Sequence, residues 1–212
     1  MEATGVYYER LAYYLHKINQ RVNVVLPNTS KHYFKSLNVK SKTDGVDAKV
    51  LSRFACERGH RTWESPKEPY LQLRNLSRFA VQLKEQKTTL KNIKHSKGAS
   101  QEVEKFILSS NKKLIKHIDK QIKECGQKIG QLIQSDSELH TKVKKIQTIK
   151  GVGILTMATI IAETLGFQQV KNVEQLASYA DYDVVQRESG TSIKGKTRIP
   201  KKCNRIARVI NE

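Results

Sequence analysis

The sequence has little cysteine and no long apolar run, and each shortage excludes a class of protein. Its three cysteines, Cys56, Cys125 and Cys203, are far apart, odd in number and without C-x-x-C spacing. This pattern argues against a disulfide framework or a zinc site, so we expect free thiols. No run approaches the roughly 18 apolar residues that span a bilayer, and no signal-peptide pattern opens the chain. The sequence therefore predicts a cytoplasmic protein without a membrane partner.

Acidic residues are also scarce relative to basic ones. The 212-residue chain has 39 lysines and arginines against 20 aspartates and glutamates, which gives a formal net charge of +19. This excess is far larger than solubility requires, so it indicates a polyanionic partner, and nucleic acid fits better than a membrane surface. The length is sufficient for a real hydrophobic core and suits one domain or two small ones.

Three acidic residues have the pattern of a metal site. Asp44 and Asp47 are three positions apart near the start of a predicted helix, so both side chains lie on one face. Two Mg²⁺ ions that bind the attacking and leaving oxygens of a phosphodiester need carboxylates from different elements, and Glu2 can supply one from a strand end. The alternative is structural: Asp44 caps a helix over about residues 46–58, Asp47 lies in its first turn, and Gly59 ends it.

Residues 1–65 are predicted to form a fragment of an α/β domain. Apolar residues recur early at helical spacing, and a β-branched run follows at residues 22–26. A second helix is predicted over residues 30–37 and a third after Asp44. This alternating order is typical of a parallel sheet, although the region is too short for a whole doubly wound domain. The early apolar residues are Tyr7, Leu11, Tyr14, Leu15 and Ile18.

Residues 66–145 are predicted to form two long helices joined by a turn near residues 97–100. Apolar residues of the second helix alternate spacings of three and four, as in a coiled-coil seam; they are Ile115, Ile118, Ile122, Cys125, Ile129 and Leu132. The coiled coil is either a spacer or dimerisation arm, or an antiparallel hairpin within one subunit. The lysines around the seam form either a solvated face or a nucleic-acid track; they are Lys112, Lys113, Lys116, Lys120, Lys123 and Lys128.

Residues 146–212 combine a glycine turn with clustered cations. Gly151 and Gly153 precede a predicted helix over residues 154–165, and such a pair frees backbone N–H groups for a phosphate, as in helix-hairpin-helix DNA-binding turns. A tight turn between packed helices is the alternative. Ser189 is a candidate nucleophile among cations that would stabilise a phosphorane, but its Ser-Gly-Thr-Ser stretch is also typical of a turn. The candidate nucleic-acid contacts, besides the two glycines, are Lys150, Arg187, Lys194, Lys196, Arg198, Lys201, Lys202 and Arg205.

Several segments, taken in order, resemble the IS110 family of insertion-sequence transposases. They are residues 1–5, 42–44 with 47–48, 149–153, 176–180, 186–190 and 198–199. Members of this family join a RuvC-like domain, which carries a DEDD carboxylate set, to a C-terminal serine transposase domain. The resemblance implies a partial RuvC-like (RNase H-like) α/β domain at residues 1–65, a helical coiled-coil hairpin at 66–145 and an incomplete, helical transposase domain at 146–212.

The resemblance also implies roles for individual residues. Glu2, Asp44 and Asp47 correspond to the second, third and fourth members of the DEDD set, which is expected to bind Mg²⁺. Ser189 matches the nucleophilic serine, and Ser192 is the fallback. The implied activity is cleavage and exchange of DNA strands through a covalent serine–DNA linkage, directed by a structured guide RNA (a bridge RNA) that pairs with donor and target DNA.

The same resemblance implies a homo-oligomer, a dimer or tetramer, in which the serine domain of one subunit completes a site with the RuvC-like domain of another. The first aspartate of the set should lie on a strand well upstream of Glu2, and closing helices should follow Glu212. We therefore expect a chain truncated at both ends, with impaired catalysis, in the bacterial or archaeal cytoplasm near the nucleoid. The rivals are a non-catalytic nucleic-acid-binding relic or accessory protein and a structural coiled-coil adaptor.

Overall fold

The computed structural model of this chain describes residues 1–39, 43–100, 104–168, 170, 172–179, 188–189 and 193–194. These residues are mostly helical. The chain divides into two compact units, residues 1–65 and residues 66–212. Within the described residues, no helix combines the length and the apolar character that a membrane crossing requires.

The unit of residues 1–65 contains three helices and one short parallel contact. The helices are α1 (Glu9–Lys17), α2 (Pro27–Ser36) and α3 (Asp44–Glu57). Glu2 pairs with Val25 in a parallel bridge, in which Ala3 N–H donates to the Val25 carbonyl at 2.8 Å and Val25 N–H donates to the Met1 carbonyl at 3.0 Å. Since α1 connects the two extended segments, the order agrees with the predicted alternation, but residues 22–26 make a single bridge and not a continuous strand.

The apolar residues of this unit are divided between a small core and the surface. Tyr33, Val50 and Phe54 form the buried cluster between α2 and α3, with the Tyr33 and Phe54 rings 4.3 Å apart. On α1, Ala12 is buried. The predicted helical stripe does lie along α1, but it is exposed, and Tyr7 at its start is 87% exposed. We call this set the α1 stripe: Tyr7, Leu11, Tyr14 and Ile18.

The start of α3 corrects the predicted helix cap. Thr43 has an extended backbone, and its Oγ1 accepts a hydrogen bond from Val46 N–H at 3.3 Å, so Thr43 is the N-cap. Asp44 is therefore the first helical residue and not the cap, while Asp47 lies in the first turn as predicted. Both threonine and aspartate are good N-caps, and β-branched threonine also favours the extended backbone that a cap needs. The helix ends at Glu57 with Arg58 as an extended C-cap, before the predicted terminator Gly59.

The unit of residues 66–212 is built on a long helical hairpin. Its elements are α4 (Glu68–Gly98), α5 (Lys105–Ser135), α6 (Ser137–Ile146), α7 (Ile154–Glu163), α8 (Val173–Tyr179), β1 (Glu188–Ser189) and β2 (Ile193–Lys194). The two predicted long helices are confirmed as α4 and α5. A break at Asp136 separates α5 from α6, because its carboxylate accepts a hydrogen bond from Leu139 N–H at 2.8 Å and caps the new helix.

The coiled-coil seam of α5 packs within the chain, against α4 and α7. Ile118, Cys125 and Ile129 are buried, and the other three seam residues are half-buried. The main cluster is centred where α7 lies on the hairpin; its buried members are Tyr70, Leu73, Ile129, Ile133, Leu139, Val143, Met157, Ala158, Ile161, Ala162 and Leu165. The structure therefore contains the antiparallel hairpin among the predicted alternatives.

The predicted free thiols are confirmed for two of the three cysteines. Cys56 is exposed and Cys125 is buried, and neither forms a disulfide. Burial raises the pKa of the Cys125 thiol, so this side chain acts as an apolar core residue. Cys203 lies outside the described residues.

Candidate functional site

Glu2 is held by two hydroxyl groups. Its Oε2 accepts a hydrogen bond from Ser30 Oγ at 2.8 Å, and its Oε1 accepts one from Thr4 Oγ1 at 3.1 Å. Ser30 is 1% exposed and lies in the first turns of α2, directly after the segment that pairs with Glu2. Hydrogen bonds from both sides orient the carboxylate and favour its charged form. Sequence reasoning missed Ser30, although a serine just after a predicted strand end is a usual place for such a contact.

Asp44 and Asp47 begin α3 on one face. Asp44 is exposed and Asp47 is half-buried, and the positive end of the helix dipole stabilises both charges. Carboxylate oxygens of this kind suit Mg²⁺. In the part of the chain that is described, however, no group of three or more His, Cys, Asp or Glu side chains is arranged to hold a metal ion. The structure therefore does not gather Glu2, Asp44 and Asp47 into one ready metal-binding group, and their metal role stays a prediction.

The glycine turn between α6 and α7 is exposed and has the predicted form. Gly151 has a φ of +89°, a conformation that favours glycine. Gly153 is the extended N-cap of α7 and provides no side-chain hydrogen bond, so the first N–H groups of the helix lack a side-chain cap. Lys150 next to the turn is exposed. The predicted helix over residues 154–165 is confirmed, with its end at Glu163.

Ser189 lies at the end of a two-residue strand. β1 and β2 are antiparallel, with Glu188 opposite Lys194 and Ser189 opposite Ile193. The backbone of Ser189 therefore directly precedes residues 190–192, which connect the two strands. Those three residues, including Ser192, lie outside the described part, as do five of the predicted cationic contacts: Arg187, Lys196, Arg198, Lys201 and Lys202. The same holds for Arg205.

A polar cluster that the sequence did not reveal fixes the end of α7. Lys142 Nζ lies 2.7 Å from Tyr70 Oη, 2.8 Å from Glu138 Oε1 and 2.9 Å from the Gly166 carbonyl oxygen. Lys67 Nζ donates to Glu138 Oε2 at 2.8 Å. The hydrogen bonds from Lys142, Lys67 and Tyr70 lower the pKa of Glu138 to about 2. We call Lys67, Tyr70, Glu138 and Lys142 the Glu138 cluster.

The turn held by this cluster has a strained backbone. Leu165, Gly166 and Phe167 all have positive φ, at 50°, 67° and 68°. A Cβ at Gly166 would lie 2.6 Å from the Tyr70 ring, so the close approach of the ring requires glycine. Such strain persists only where surrounding contacts impose it, and here the Lys142 ammonium holds the Gly166 carbonyl.

A second ion pair ties α7 to α4. The Arg78 guanidinium donates to both Glu163 oxygens, at 2.7 Å and 2.9 Å. The Glu163 side chain is 1% exposed, and a bidentate pair is the geometry that best compensates a buried carboxylate. The Tyr179 hydroxyl also donates to the Glu163 carbonyl at 3.1 Å, which joins α8 to the same point. The helix after the glycine turn is thus fixed to the hairpin at its C-terminal end.

Two family models match the chain in succession. Residues 1–96 match the transposase model of the IS110 DEDD type, and residues 143–210 match the model described as Transposase IS116/IS110/IS902 family. Together the two matches leave little of the chain uncovered apart from the middle of the hairpin. Both ends of the chain, which carry the carboxylates and Ser189, therefore have independent support.

Curated relatives match over almost the whole chain. The pilin gene-inverting protein of Moraxella lacunata is 28% identical over 202 residues, which cover 94% of this chain and 60% of that protein. The pilin gene-inverting protein of Moraxella bovis is 26% identical over 199 residues, with the same shares of 94% and 60%. The chain thus spans less than two thirds of the length of either relative. With both family models in their expected order, the chain belongs to the IS110 family of transposases.

Proposed function

We propose that this chain cleaves and exchanges DNA strands as the transposase, or recombinase, of an insertion sequence. The observation that carries the proposal is the match of both ends of the chain to transposase models of one family. The two relatives are named for inverting a pilin gene, which agrees with DNA recombination. The net charge of +19 suits a protein that holds nucleic acid.

In the proposed reaction, Ser189 is the nucleophile. Its Oγ attacks the phosphorus of a DNA phosphodiester and loses its proton to a base. A new Oγ–P bond forms while the bond from phosphorus to the leaving sugar oxygen breaks, and that oxygen takes up a proton. Reversal of these steps with a different sugar hydroxyl exchanges the strands. The position of Ser189 at the end of β1 supports the proposal, because a nucleophile at a strand end next to a turn is accessible.

We propose that the unit of residues 1–65 is the corresponding part of a RuvC-like α/β domain. The parallel bridge between Glu2 and Val25, with α1 as the connection, supports this assignment. Glu2, Asp44 and Asp47 would hold Mg²⁺ through hard carboxylate oxygens. When bound, Mg²⁺ would stabilise negative charge that develops on the phosphate oxygens. Ser30 and Thr4 orient the Glu2 carboxylate for that role.

Nucleic-acid contacts are proposed on both sides of α7 and Ser189. The exposed turn with Lys150, Gly151 and Gly153 offers free N–H groups to a phosphate. The cations that follow, from Arg187 to Arg205, would bind the element ends and target DNA, together with a structured guide RNA. A location in the cytoplasm, at the nucleoid, follows from these partners.

A homo-oligomer, either a dimer or a tetramer, is the proposed assembly. An open apolar groove of about 670 Å³ runs along the hairpin, lined by Phe79, Leu83 and Leu90 of α4 and by Leu114 and Ile118 of α5. Phe79 and Ile93 on α4 and Ile107 and Leu114 on α5 are exposed at multiples of seven residues. This spacing is that of a coiled-coil seam, which supports pairing with a second copy.

The alternative function is nucleic-acid binding without catalysis. One observation favours it: the described residues contain no group of acidic or other ligands that is ready to hold a metal ion. A binding protein would keep the basic surface and the glycine turn and would form no covalent product.

The deciding experiment is a search for a covalent DNA adduct. The full chain is incubated with a labelled element end, Mg²⁺ and guide RNA, and the products are separated under denaturing conditions. We expect a labelled protein band that Ser189→Ala abolishes and that the matched control Ser192→Ala retains. A band lost only with Ser192→Ala would move the nucleophile to Ser192. The absence of any band, with retained DNA binding, would support the non-catalytic alternative.

A further inference from the structure

Lysine and arginine are segregated along the chain. Residues 79–186 contain 17 lysines and no arginine, whereas the rest of the chain contains 11 of each. A general preference for lysine codons would affect all regions equally, so it does not account for the difference. The two cations have different uses: arginine forms bidentate contacts that read base edges and orient phosphates, while lysine acts as a mobile point charge.

The lysines of the hairpin gather on one of its faces. The ion pair between Lys87 of α4 and Asp119 of α5 joins the two helices and marks this face. On each helix, positions three, four or seven residues from the pair share its side. The lysines at those positions, with Lys87 itself, form what we call the lysine face: Lys84, Lys87, Lys91 and Lys94 on α4, and Lys112, Lys116 and Lys123 on α5.

The charge of the lysine face is hardly neutralised. Asp119 is the single carboxylate among these helical positions, and Lys87 already pairs with it. Lys112, Lys116 and Lys123 are exposed. The apolar residues at the intervening positions, such as Leu83 and Ile122, point into the hairpin instead. The lysine face is therefore a cationic surface separate from the seam.

The dimensions of this surface fit the backbone of a duplex. Each lysine row extends about 15 Å along its helix at 1.5 Å per residue. The two helix axes are expected to be about 10 Å apart, which is close to the roughly 12 Å width of the major groove of DNA. Each row can therefore follow one of the two phosphate strands that border a groove.

The composition of the hairpin argues against single strands and against base readout. Proteins that bind single strands place aromatic side chains on which bases stack. Between Phe79 and Phe167 the sequence has one aromatic residue, Phe106, and it lies at the start of α5, two turns before Lys112. The face also lacks arginine, the residue that most often reads guanine. Phosphate contact alone remains.

We infer that the lysine face binds the phosphate backbone of double-stranded nucleic acid without sequence preference. This inference rests on the proposed nucleic-acid function and adds a division of labour to it. The hairpin supplies affinity, while the arginine-bearing segments outside residues 79–186 supply specificity.

The test compares two triple variants of the full chain that remove the same charge from the same helix. K112Q/K116Q/K123Q changes the lysine face, and K113Q/K120Q/K128Q changes exposed lysines of α5 that lie off it. Binding to an unrelated DNA duplex, an RNA duplex of equal length and single-stranded DNA is measured by fluorescence anisotropy between 50 and 200 mM salt. Circular dichroism checks that both variants remain helical.

We expect the face variant alone to lose duplex affinity. Each lost phosphate contact lowers the slope of log affinity against log salt by about 0.9, so three contacts reduce the change between 50 and 200 mM salt by about 40-fold. The variant K112R/K116R/K123R should retain binding. A loss confined to the DNA or to the RNA duplex would support the inference and identify the ligand.

Two results would overturn it: equal losses in both triple variants, or tighter binding of single strands than of duplexes. If the unmodified chain bound no nucleic acid, the proposed function would fail with it. If a Ser189-dependent adduct formed while both triple variants bound duplexes normally, the function would stand and this inference alone would fall.

Discussion

The two units differ in how completely they bury their apolar residues. In the unit of residues 66–212, eleven buried residues form one cluster, and the Glu138 cluster and the Arg78–Glu163 pair reinforce it. In the unit of residues 1–65, the buried cluster has three members, while the α1 stripe is exposed. We therefore expect the helical unit to carry most of the stability and the N-terminal unit to unfold first.

A single experiment can follow both units, because their spectroscopic signals are separate. Trp63, the one tryptophan of the chain, lies in the N-terminal unit, where its ring meets Tyr13 edge-on with centroids 5.2 Å apart. The two longest helices, of 31 residues each, lie in the other unit and dominate the far-ultraviolet circular dichroism. Urea unfolding followed by both signals should show fluorescence changing at lower denaturant.

The largest effect is expected from Gly166→Ala. The new Cβ would lie 2.6 Å from the Tyr70 ring, and φ at this position is +67°. Tyr70 is buried and hydrogen-bonded to Glu138 and Lys142, so it has little room to move. We expect a loss of about 3 kcal/mol in the free energy of unfolding, detected by circular dichroism.

The matched control is Gly126→Ala within α5. A Cβ there meets nothing within 4 Å, so the substitution should stabilise the helix by about 0.5–1 kcal/mol. If both substitutions had the same effect, Gly166 would not be a close-contact position.

The next effect concerns the ion pair between α4 and α7. Glu163→Ala leaves Arg78, which is 37% exposed, without its bidentate partner and creates a space beside the core. Because Arg78 is partly solvated, we expect a loss of about 2 kcal/mol, below the full cost of an orphaned buried charge. Urea unfolding measures the change, and Glu124→Ala on the exposed side of α5 should change stability by less than about 0.5 kcal/mol.

A smaller effect should appear as a pH dependence of the helical unit. The pKa of Glu138 is lowered to about 2 from its ordinary 4.5, so its stabilising contribution is complete above pH 4.5 and disappears as the pH falls towards 2. The side chain is 42% exposed, and solvent screening reduces the contribution to about 1 kcal/mol. Unfolding of the unmodified chain and Glu138→Gln between pH 2 and 7 should converge at the acid end; parallel curves would contradict the assignment.

The smallest effect is expected on the α1 stripe. Leu11→Gln replaces an exposed leucine, so the fluorescence transition should shift by less than about 0.5 kcal/mol. The control Phe54→Leu in the buried cluster of the same unit should cost about 1 kcal/mol. A large cost at Leu11 would show that the stripe is covered, which would remove the contrast between the units.

Regular periodicity made much of the fold predictable, whereas specific side-chain contacts did not. The spacing of Ile118, Cys125 and Ile129 predicted the buried side of α5 correctly, because a helix repeats its faces over many turns. The same spacing on α1 predicted a helix but not its exposure, since periodicity reports an apolar face and not its partner. Asp44 was assigned as a cap because Thr43 and Asp44 compete for one position by similar chemistry.

For the candidate site, local patterns again carried further than long-range ones. The glycine turn and the first-turn position of Asp47 could be predicted, because they depend on neighbouring residues. The contact of Ser30 with Glu2 spans 28 positions and that of Arg78 with Glu163 spans 85. No residue pattern within one sequence reports which distant polar groups will meet.

The exposed stripe on α1 determines how the protein behaves in concentrated solution. At low salt the +19 charge keeps copies apart. At 1 M salt the Debye length falls to about 3 Å, so that repulsion is lost while the attraction between the stripes remains. The high salt that strips bound nucleic acid during purification will therefore also promote precipitation, and the solubility of this protein should pass through a maximum at intermediate ionic strength.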